Sequence, residues 1–335
     1  MDRHGIHRSL NNALLVQRAL DRGVEVSAGR NQRVQLAFGG KPAWFDASNS
    51  NLNRSLVKRV AGNKSITTAL LRAEGVSAPE NCVFTAEELQ RAWAWAEPIV
   101  PVAVKPPTGQ EGRLVHVDVT DYSEFERTFN AVAAAGGAVL VEQYVQGVDH
   151  RATVIDGAVV AVTRRIPAHV VGDGSTPLAA LIEAKNTDRR TRGNLVHKKL
   201  TVGETEAHYL NEQGLTASST PAAGQVVWLR GAANVSTGGD AIDATDDLTS
   251  QEVEAIEGAV RAFPGMRLAG VDVLLDREGG GPPWILEVNS KPSVSPHHFP
   301  WEGQPRDVMT KVLEAMFPAL PPAPEEVPRP QAAGR

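Results

Sequence analysis

The chain has 335 residues, which suits roughly two domains and a substantial hydrophobic core. Its 42% hydrophobic and 22% charged residues are typical of a soluble globular protein, and its net charge of −5 gives no basic surface for nucleic acid. The single cysteine, Cys82, excludes an intrachain disulfide. The N-terminus lacks the apolar segment of a signal peptide, and no apolar run is long enough to span a membrane. These features predict a cytoplasmic protein.

Hydrophobic periodicity divides the first half of the sequence into two units. A small N-terminal domain is predicted over residues 1–61, with a helix at 11–22 and an alternating strand at 34–38 that stops at two glycines. Residues 62–141 are predicted to form an α+β lobe. Its predicted helices cover residues 64–74, 87–96 and 122–135, and its predicted strands cover residues 100–106, 115–119 and 138–142.

A larger α+β lobe is predicted over residues 142–317. Two of its strands, at 150–155 and 158–165, flank Asp156-Gly157, a dipeptide typical of tight hairpin turns. The glycine-rich segment 231–240 is too long for such a turn and predicts a mobile loop over a ligand. The remaining predicted segments are helices at 177–186, 205–213, 250–263 and 306–317, a strand at 225–230, a basic loop at 188–200, and a flexible tail rich in proline and alanine at 318–335.

Two predicted strands near the end of the larger lobe bring oxygen-bearing side chains together. The strand at 284–289 carries Glu287 and Asn289, which project to one face because they are two residues apart. A glycine-rich turn separates it from a strand at 270–276 that carries Asp272. In a hairpin, Asp272 falls opposite Glu287 and Asn289, and three hard oxygen ligands predict a magnesium site of the nucleotide-bound kind. The alternative is a hairpin with polar side chains on its solvent face.

Two lysines and a short linker indicate a nucleotide site. Lys105 ends a buried strand directly before a glycine loop, and a cation beside free backbone N–H groups can hold phosphate. Lys64, which opens a helix, is on its own typical of a solvated surface lysine. Glu142 and the linker after it could contact adenine, and Asp149 could contact ribose; the alternative is a strand end with solvated acids. The sequence has neither a P-loop nor a GxGxxG motif, so nucleotide binding is not of those two types.

Arg230 is a candidate for charge stabilisation, because it lies directly before the glycine-rich loop and could face a reacting centre. Arg165 is a weaker candidate, and for either residue the alternative is a surface ion pair. Nucleophilic catalysis lacks support, because Cys82 has no histidine nearby and no serine has a GxSxG context. The pair His297-His298 is expected to be structural or solvated rather than metal-binding.

Taken together, these motifs resemble those of the ATP-grasp carboxylate–amine ligases. The resemblance is carried by Lys64, by Lys105 with its glycine loop, by the linker up to Asp149, and by the predicted hairpin of Asp272, Glu287 and Asn289. Among these ligases the sequence is most similar to the ATP-grasp module of cyanophycin synthetase, through segments that run in one order over about residues 10–310. Examples are Asn63-Lys-Ser-Ile-Thr67, Pro221-Ala-Ala-Gly224 and Leu229-Arg-Gly-Ala-Ala-Asn-Val-Ser-Thr-Gly-Gly239.

The resemblance implies an α+β ATP-grasp fold, in which two α+β lobes clasp ATP and a small N-terminal domain precedes them. It also implies two Mg²⁺ ions, for which Mn²⁺ can substitute. The implied nucleotide contacts are Lys64, Lys105, Gly109, Gly112, Glu142, Gln143, Tyr144, Val145 and Asp149. The implied metal ligands are Asp272, Glu287 and Asn289, and the implied catalytic residues are Lys105, Arg230, Asn234 and Ser236.

The implied reaction is ATP-dependent formation of a peptide or amide bond through an acyl phosphate, with release of ADP and phosphate. The expected partners are small-molecule carboxylates and amines, not nucleic acid or membranes, and a homodimer remains open. Because cyanophycin synthetase continues into a Mur-ligase-like half that this sequence lacks, we expect a free-standing biosynthetic ligase. The alternatives are a glutathione-synthetase-like or D-Ala–D-Ala-ligase-like enzyme, or a catalytically silent nucleotide-binding regulator. One departure from the family pattern is Leu114, where relatives usually carry glycine.

Overall fold

A computed structural model describes residue 6 and residues 8–107 and 114–321. Within these ranges the chain forms four β-sheets with helices packed against them, which is the α+β architecture that the sequence predicts. Gly109, Gly112 and most of the predicted tail lie outside the described residues. In the same ranges, each helix is too short or too polar to cross a bilayer.

The N-terminal sheet is antiparallel and packs against one helix. Its elements are α1 (Leu10–Asp21), β1 (Glu25–Ala28), β2 (Val34–Phe38), β3 (Lys41–Asp46) and β4 (Asn49–Ser50), with the strands in sequence order. Val34, Leu36 and Phe45 share a buried cluster with Leu15 and Val16 of α1. The sequence pattern predicts only α1 and β2, because the other strands are short and polar residues interrupt their alternation.

The next elements include a second antiparallel sheet. They are α2 (Ser55–Ala61), α3 (Lys64–Ala73), β5 (Asn81–Thr85), α4 (Leu89–Ala96), β6 (Val102–Lys105), β7 (His116–Val119), α5 (Tyr122–Gly136) and β8 (Ala138–Gln143), and the sheet order is β5-β8-β6-β7. Phe125 and Phe129 of α5 are fully buried against this sheet. Helix α3 instead buries Leu71 in the core of the large sheet that follows. The predicted domain boundaries, after residues 61, 141 and 317, therefore remain predictions.

The large sheet has five strands and carries most of the candidate site. The remaining elements are β9 (Val148–Ile155), β10 (Ala158–Ile166), β11 (His169–Val171), α6 (Leu178–Thr191), α7 (Glu204–Glu212), β12 (Val226–Trp228), β13 (Asp240–Asp243), α8 (Ser250–Arg261), β14 (Leu268–Leu275), β15 (Trp284–Asn289), α9 (Ser295–His298) and α10 (Val308–Met316). The strand order is β13-β10-β9-β14-β15, and each neighbouring pair is antiparallel. Helix α8 covers one face with Ile256 and Ala259, and α10 covers the other with Val312 and Leu313. Strands β11 and β12 form a separate pair.

Two segments differ from the prediction for one electrostatic reason. Helix α6 continues to Thr191 instead of ending at residue 186, and strand β13 is not predicted at all. Each contains a charged residue that is almost fully buried, and these two, Arg189 and Asp240, form an ion pair of 2.6 Å. Lys185 also donates to Asp240, at 2.6 Å. Charged residues normally indicate solvent-facing positions, so sequence periodicity does not identify a buried ion pair.

A buried asparagine joins the N-terminal region to the large sheet. Asn53 donates to the carbonyl oxygens of Leu268, at 2.6 Å, and Ser290, at 2.9 Å. Its side-chain oxygen accepts from the backbone N–H groups of Arg267, at 2.8 Å, and Leu268, at 3.0 Å. One side chain thereby satisfies backbone groups beside both β14 and β15, the strands that carry the predicted metal ligands.

Replacing Asn53 by alanine should destabilise the protein. The substitution removes these hydrogen bonds and leaves buried backbone groups without partners, so we expect the free energy of unfolding to fall by about 3 kcal/mol. Urea unfolding measures the change. Asn211→Ala, at an exposed position of α7, is the matched control and should change the free energy by less than about 0.5 kcal/mol. Equal midpoints for the two variants would contradict this role of Asn53.

Candidate active site

Strands β14 and β15 pair as the sequence predicts. Asp272 lies directly opposite Glu287, and Gly270 lies opposite Asn289, in an antiparallel register that shifts just after Asp272. The Cβ atoms of directly opposed residues on such a ladder are about 4.5–5.5 Å apart. The hairpin therefore brings two carboxylates and a side-chain amide to one place on the sheet.

Asp272 is held by two arginines from neighbouring strands. Arg151 of β9 binds both carboxylate oxygens, with Nη2 2.8 Å from Oδ2, and Nη2 of Arg165 on β10 lies 3.2 Å from Oδ2. Burial alone would raise the pKa of Asp272, but the charges of Arg151 and Arg165 outweigh it and lower the pKa below its usual value. Asp272 therefore stays ionised at neutral pH.

Gly270 provides the space in which Arg151 crosses β14. A Cβ at position 270 would lie 2.8 Å from Cβ of Pro292 and 3.3 Å from Cδ of Arg151. Contacts between carbon atoms are favourable only from about 3.5 Å, so any larger residue would displace one of these groups. A side chain at position 270 would therefore displace Pro292 and crowd Arg151.

Asp149 lies beside the same cluster, in the cavity wall. Its Oδ1 atom is 2.6 Å from Nη2 of Arg165. Burial raises the pKa of Asp149 to about 6, because the loss of solvation exceeds the favourable effect of the Arg165 charge. The charge of Asp149 consequently changes close to neutral pH.

Lys105 is paired with Glu142. Its Nζ atom forms an ion pair with Oε1 of Glu142, a side chain that is almost fully buried. Burial lowers the pKa of Lys105, although the opposite charge of Glu142 works against this shift. Asn81 also donates to Glu142, at 3.5 Å. The adenine contact of Glu142 stays a prediction, because Lys105 and Asn81 engage its carboxylate in this structure.

The linker after β8 offers fewer backbone groups for a ligand than the sequence predicts. The N–H of Gln143 donates to the carbonyl of Glu80 at 2.8 Å, and the N–H of Tyr144 donates to the carbonyl of Pro101 at 3.1 Å. The next N–H, that of Val145, has no backbone acceptor among the residues with described positions. The N–H of Val145 is therefore one linker donor that a nucleotide base could use.

Leu114 follows the glycine loop in a conformation suited to glycine. Its φ angle of 55° lies in the left-handed region, which costs an L-residue roughly 1–2 kcal/mol and costs glycine little. The side chain is 40% exposed, so little packing offsets this strain. The departure from the family pattern that the sequence shows at this position thus has a local energetic cost.

A cavity of about 890 Å³ collects seven of the fifteen predicted site residues. The predicted residues in its walls are Lys64, Lys105, Asp149, Asn234, Asp272, Glu287 and Asn289. Four more basic residues line it, namely Arg151, Arg164, Arg165 and Lys291. The described walls thus contain more basic side chains than carboxylates, which favours anionic ligands. Arg151 and Lys291 were not identified from the sequence, although Lys291 directly follows the predicted metal strand.

Arg230 and Ser236 lie apart from this group, in the wall of a second cavity of about 210 Å³. Arg230 donates from Nε to Oε1 of Glu206 at 2.7 Å. Residues 231–234 line the large cavity and residues 236–237 line the small one, so the glycine-rich loop separates the two. The structure does not place Arg230 and Ser236 beside Lys105, and their catalytic roles stay predictions.

The hairpin oxygens suit Mg²⁺ in chemical type. Oε2 of Glu287 lies 3.9 Å from Nζ of Lys64, and Oδ1 of Asn289 accepts from the backbone N–H of Lys291 at 2.8 Å. Both oxygens keep lone pairs, and carboxylate and amide oxygens are ligands that Mg²⁺ accepts. Within the described ranges, no three His, Cys, Asp or Glu side chains are gathered at metal-binding distance. A magnesium ion here would therefore need further oxygens, as from phosphate groups.

The pair His297-His298 has structural contacts, as the sequence analysis expects. Nε2 of His297 lies 2.8 Å from Oγ1 of Thr153, and Nε2 of His298 accepts from the backbone N–H of Met309 at 3.1 Å. Burial lowers the pKa of both histidines. The two rings thus connect α9 to its surroundings as neutral groups.

Comparisons with known proteins identify this fold. No family model matches the chain. The crystal structure of a bifunctional glutathione synthetase from Pasteurella multocida superposes with a TM-score of 0.70 and 28% identity, over 93% of this chain and 44% of that chain. Cyanophycin synthetase from Trichormus variabilis is 33% identical over 294 residues, and the glutathione biosynthesis bifunctional protein GshAB from Mannheimia succiniciproducens is 31% identical over 326 residues. The chain has the ATP-grasp fold.

This ATP-grasp chain matches only part of each relative. The alignment with cyanophycin synthetase covers 85% of the chain and 32% of the relative, and that with GshAB covers 93% and 43%. The chain thus spans 32% to 43% of the length of these relatives. The similarity shows the ATP-grasp fold, and it does not by itself assign to this chain the complete activities of those larger proteins.

Replacing Asp149 by asparagine should stabilise the protein at pH 8 but not at pH 4. The pKa of Asp149 is raised from 3.8 to about 6 in the folded state, so its contribution to stability is present below pH 4 and is lost as the pH rises through 6. Asparagine keeps the shape of the neutral acid. We expect the free energy of unfolding of Asp149→Asn to exceed that of the wild type by about 1–3 kcal/mol at the higher pH. Urea unfolding at both pH values is the measurement, and a difference that does not change with pH would refute the assignment.

Proposed function

We propose that the protein is an ATP-dependent carboxylate–amine ligase that forms a peptide or amide bond and releases ADP and phosphate. The observation that carries this proposal is the convergence of Lys64, Lys105 and the hairpin residues Asp272, Glu287 and Asn289 in one cavity. The ATP-grasp relatives support it, because cyanophycin synthetase and GshAB are named for biosynthetic reactions. The proposed substrates are amino acids or small peptides of a biosynthetic pathway.

In this proposal the two lysines hold the phosphate groups of ATP. Lys105 is anchored by its ion pair with Glu142, whereas Lys64 lies in the first turn of α3 and extends toward Glu287. Their positive charges would lower the repulsion between the γ-phosphate and an approaching carboxylate. The Val145 N–H would bind adenine, with Gln143 and Tyr144 shaping the linker around it, and Asp149 would bind the ribose.

The residues that would hold Mg²⁺ are Asp272, Glu287 and Asn289. Two Mg²⁺ ions bound with ATP, for which Mn²⁺ can substitute, would neutralise phosphate charge and orient the γ-phosphoryl group. Arg151 and Arg165 keep the Asp272 carboxylate ionised and fixed in position. A backbone N–H likewise fixes the Asn289 amide. The oxygen atoms are thereby oriented before a nucleotide binds.

The proposed reaction has two steps. A carboxylate oxygen of the substrate attacks the γ-phosphorus of ATP, ADP leaves, and an acyl phosphate is formed. An amine nitrogen then attacks the acyl carbon, phosphate leaves, and the nitrogen loses a proton. Water would destroy the acyl phosphate, so we propose that the loop at 231–240 closes over it, with Asn234 facing the intermediate. Loop closure would also bring Arg230 and Ser236 toward the reacting centre.

The relation to GshAB favours a second candidate, a glutathione-synthetase-like step. A D-Ala–D-Ala-ligase-like enzyme and a catalytically silent nucleotide-binding regulator are the remaining alternatives. Amine-dependent ADP release, measured with a panel of amino acids and dipeptides as acids and amines, separates these candidates. We also propose small-molecule partners only and a cytoplasmic location, and light scattering tests for a homodimer.

The acyl-phosphate step predicts that oxygen passes from the acid to the released phosphate. If the substrate carboxylate is labelled with a heavy oxygen isotope, one labelled atom should appear in inorganic phosphate for each amide formed, as mass spectrometry can detect. The mechanism predicts this result because the carboxylate oxygen that attacks phosphorus stays on phosphorus. Amide formation with unlabelled phosphate would exclude the acyl phosphate.

Glu287→Ala should lower kcat by about 100-fold or more, because even residues that only support metal ligands contribute 10–100-fold. The control is Glu278→Ala, at an exposed position in the turn between β14 and β15, which should leave kcat within about twofold. Turnover is measured as ADP release over a titration of Mg²⁺. Similar turnover for both variants would overturn the metal assignment of Glu287.

A further inference from the structure

Lys291 is a cation in the wall of the large cavity that the proposed reaction does not use. It follows Asn289 by two residues, is exposed, and donates its backbone N–H to Oδ1 of Asn289. Among the residues that the structure describes, no carboxylate is paired with its ammonium group. Lys291 thus brings a positive charge to the cavity without a protein counter-ion.

The backbone on both sides of Lys291 is fixed. The carbonyl of Ser290 accepts from Nδ2 of Asn53 at 2.9 Å, and the backbone N–H of Ser295 donates to Oδ1 of Asn11 at 3.1 Å. Pro292 packs so closely on Gly270 that a Cβ there would lie 2.8 Å from it. The Lys291 side chain therefore extends from a rigid base, which lowers the entropy lost when it binds a ligand.

A second lysine lies within electrostatic reach of Lys291. Nζ of Lys58 donates to Oδ1 of Asn49 at 2.7 Å and to the carbonyl of Ser50 at 2.5 Å, and it lies 5.2 Å from the ring centroid of Trp44. Burial lowers the pKa of Lys58, and the charge of Lys291 lowers it further. In the described part of the chain, Lys58 also has no carboxylate partner. The two positive charges repel one another, and an anion bound at Lys291 would reduce that repulsion.

Of the other cations that line the cavity, all but Arg164 have a carboxylate close by among the described residues. Lys105 is bound to Glu142, Arg151 to Asp272, Arg165 to Asp149 and Asp272, and Lys64 lies 3.9 Å from Glu287. Ser48, in the turn before β4, lines the cavity on the same N-terminal sheet that holds Lys58. The cavity wall therefore contains Lys291 and a hydroxyl-bearing residue, Ser48, whereas Lys58 adds its charge from outside the lining residues.

We propose that Lys291, supported by Lys58 and Ser48, forms a subsite for a carboxylate of the substrate that does not react. The inference rests on the proposed ligase function and narrows it to substrates that keep a free carboxylate during the reaction, such as dicarboxylic amino acids or the carboxyl end of an amino acid or peptide. Charge-assisted hydrogen bonds to such a group are the strong ones in a partly desolvated cavity. The carboxylate belongs either to the acid or to the amine substrate, and the experiment distinguishes the two.

The test compares substrate pairs that differ by one carboxylate. In the first arm the acids are aspartate or glutamate against 3-aminopropanoate or 4-aminobutyrate, and in the second arm the amines are amino acids against their amides. In one arm, the wild type should prefer the carboxylate-bearing substrate by about tenfold or more in kcat/KM, and Lys291→Gln should reduce that preference to about twofold. Lys291→Arg should retain most of it. The KM for ATP should stay within about twofold in both variants.

The control is Lys311→Gln, an exposed lysine of α10 that pairs with Glu314 and should leave the preference unchanged. The arm in which Lys291→Gln loses discrimination identifies the substrate that carries the carboxylate. If wild type and Lys291→Gln discriminate equally in both arms, or if the KM values for ATP and substrate rise together, the subsite is refuted while the ligase function stands. If no pair supports amine-dependent ADP release in the wild type, the proposed function fails and the subsite falls with it.

Discussion

A cluster of two arginines and two aspartates fixes the geometry of the candidate site. Arg151, Arg165, Asp149 and Asp272 come from three adjacent strands of the large sheet and are joined by direct ion pairs. Burying one of these charges without its partner would cost free energy of folding. The ion pairs form only in this strand register, and they in turn favour it over other registers. A shift of β14 by one residue against β9 would turn Asp272 to the other face and leave Arg151 without its partner.

The elements that were predictable from sequence are those determined by local pattern. The hairpin of Asp272 with Glu287 was predictable because two alternating apolar strands flank a glycine-rich turn, and this pairing is confirmed. Helix α3 and strand β6 were predictable for similar reasons, and they place Lys64 and Lys105 at the cavity. Short-range periodicity thus located most of the candidate site.

The elements that were not predictable depend on contacts between distant segments. Arg151 lies on a strand far from Asp272 in sequence, and only the folded sheet makes them neighbours. Asp240 and Arg189 are likewise far apart in sequence and adjacent in the fold. Their opposite charges compensate each other, so both side chains can be buried. Arg230 is the opposite case. Its position directly before the glycine-rich loop suggested that it faces the reacting centre, whereas its ion pair with Glu206 places it in the wall of the smaller cavity.

The loop at 231–240 contributes residues to the walls of both the larger and the smaller cavity. Ala233 and Asn234 border the larger space, and Ser236 and Thr237 border the smaller one. Because one segment contributes to the walls of both, a displacement of this segment would change the shape of both compartments. A ligand that shifted the segment in one cavity would therefore also alter the lining of the other.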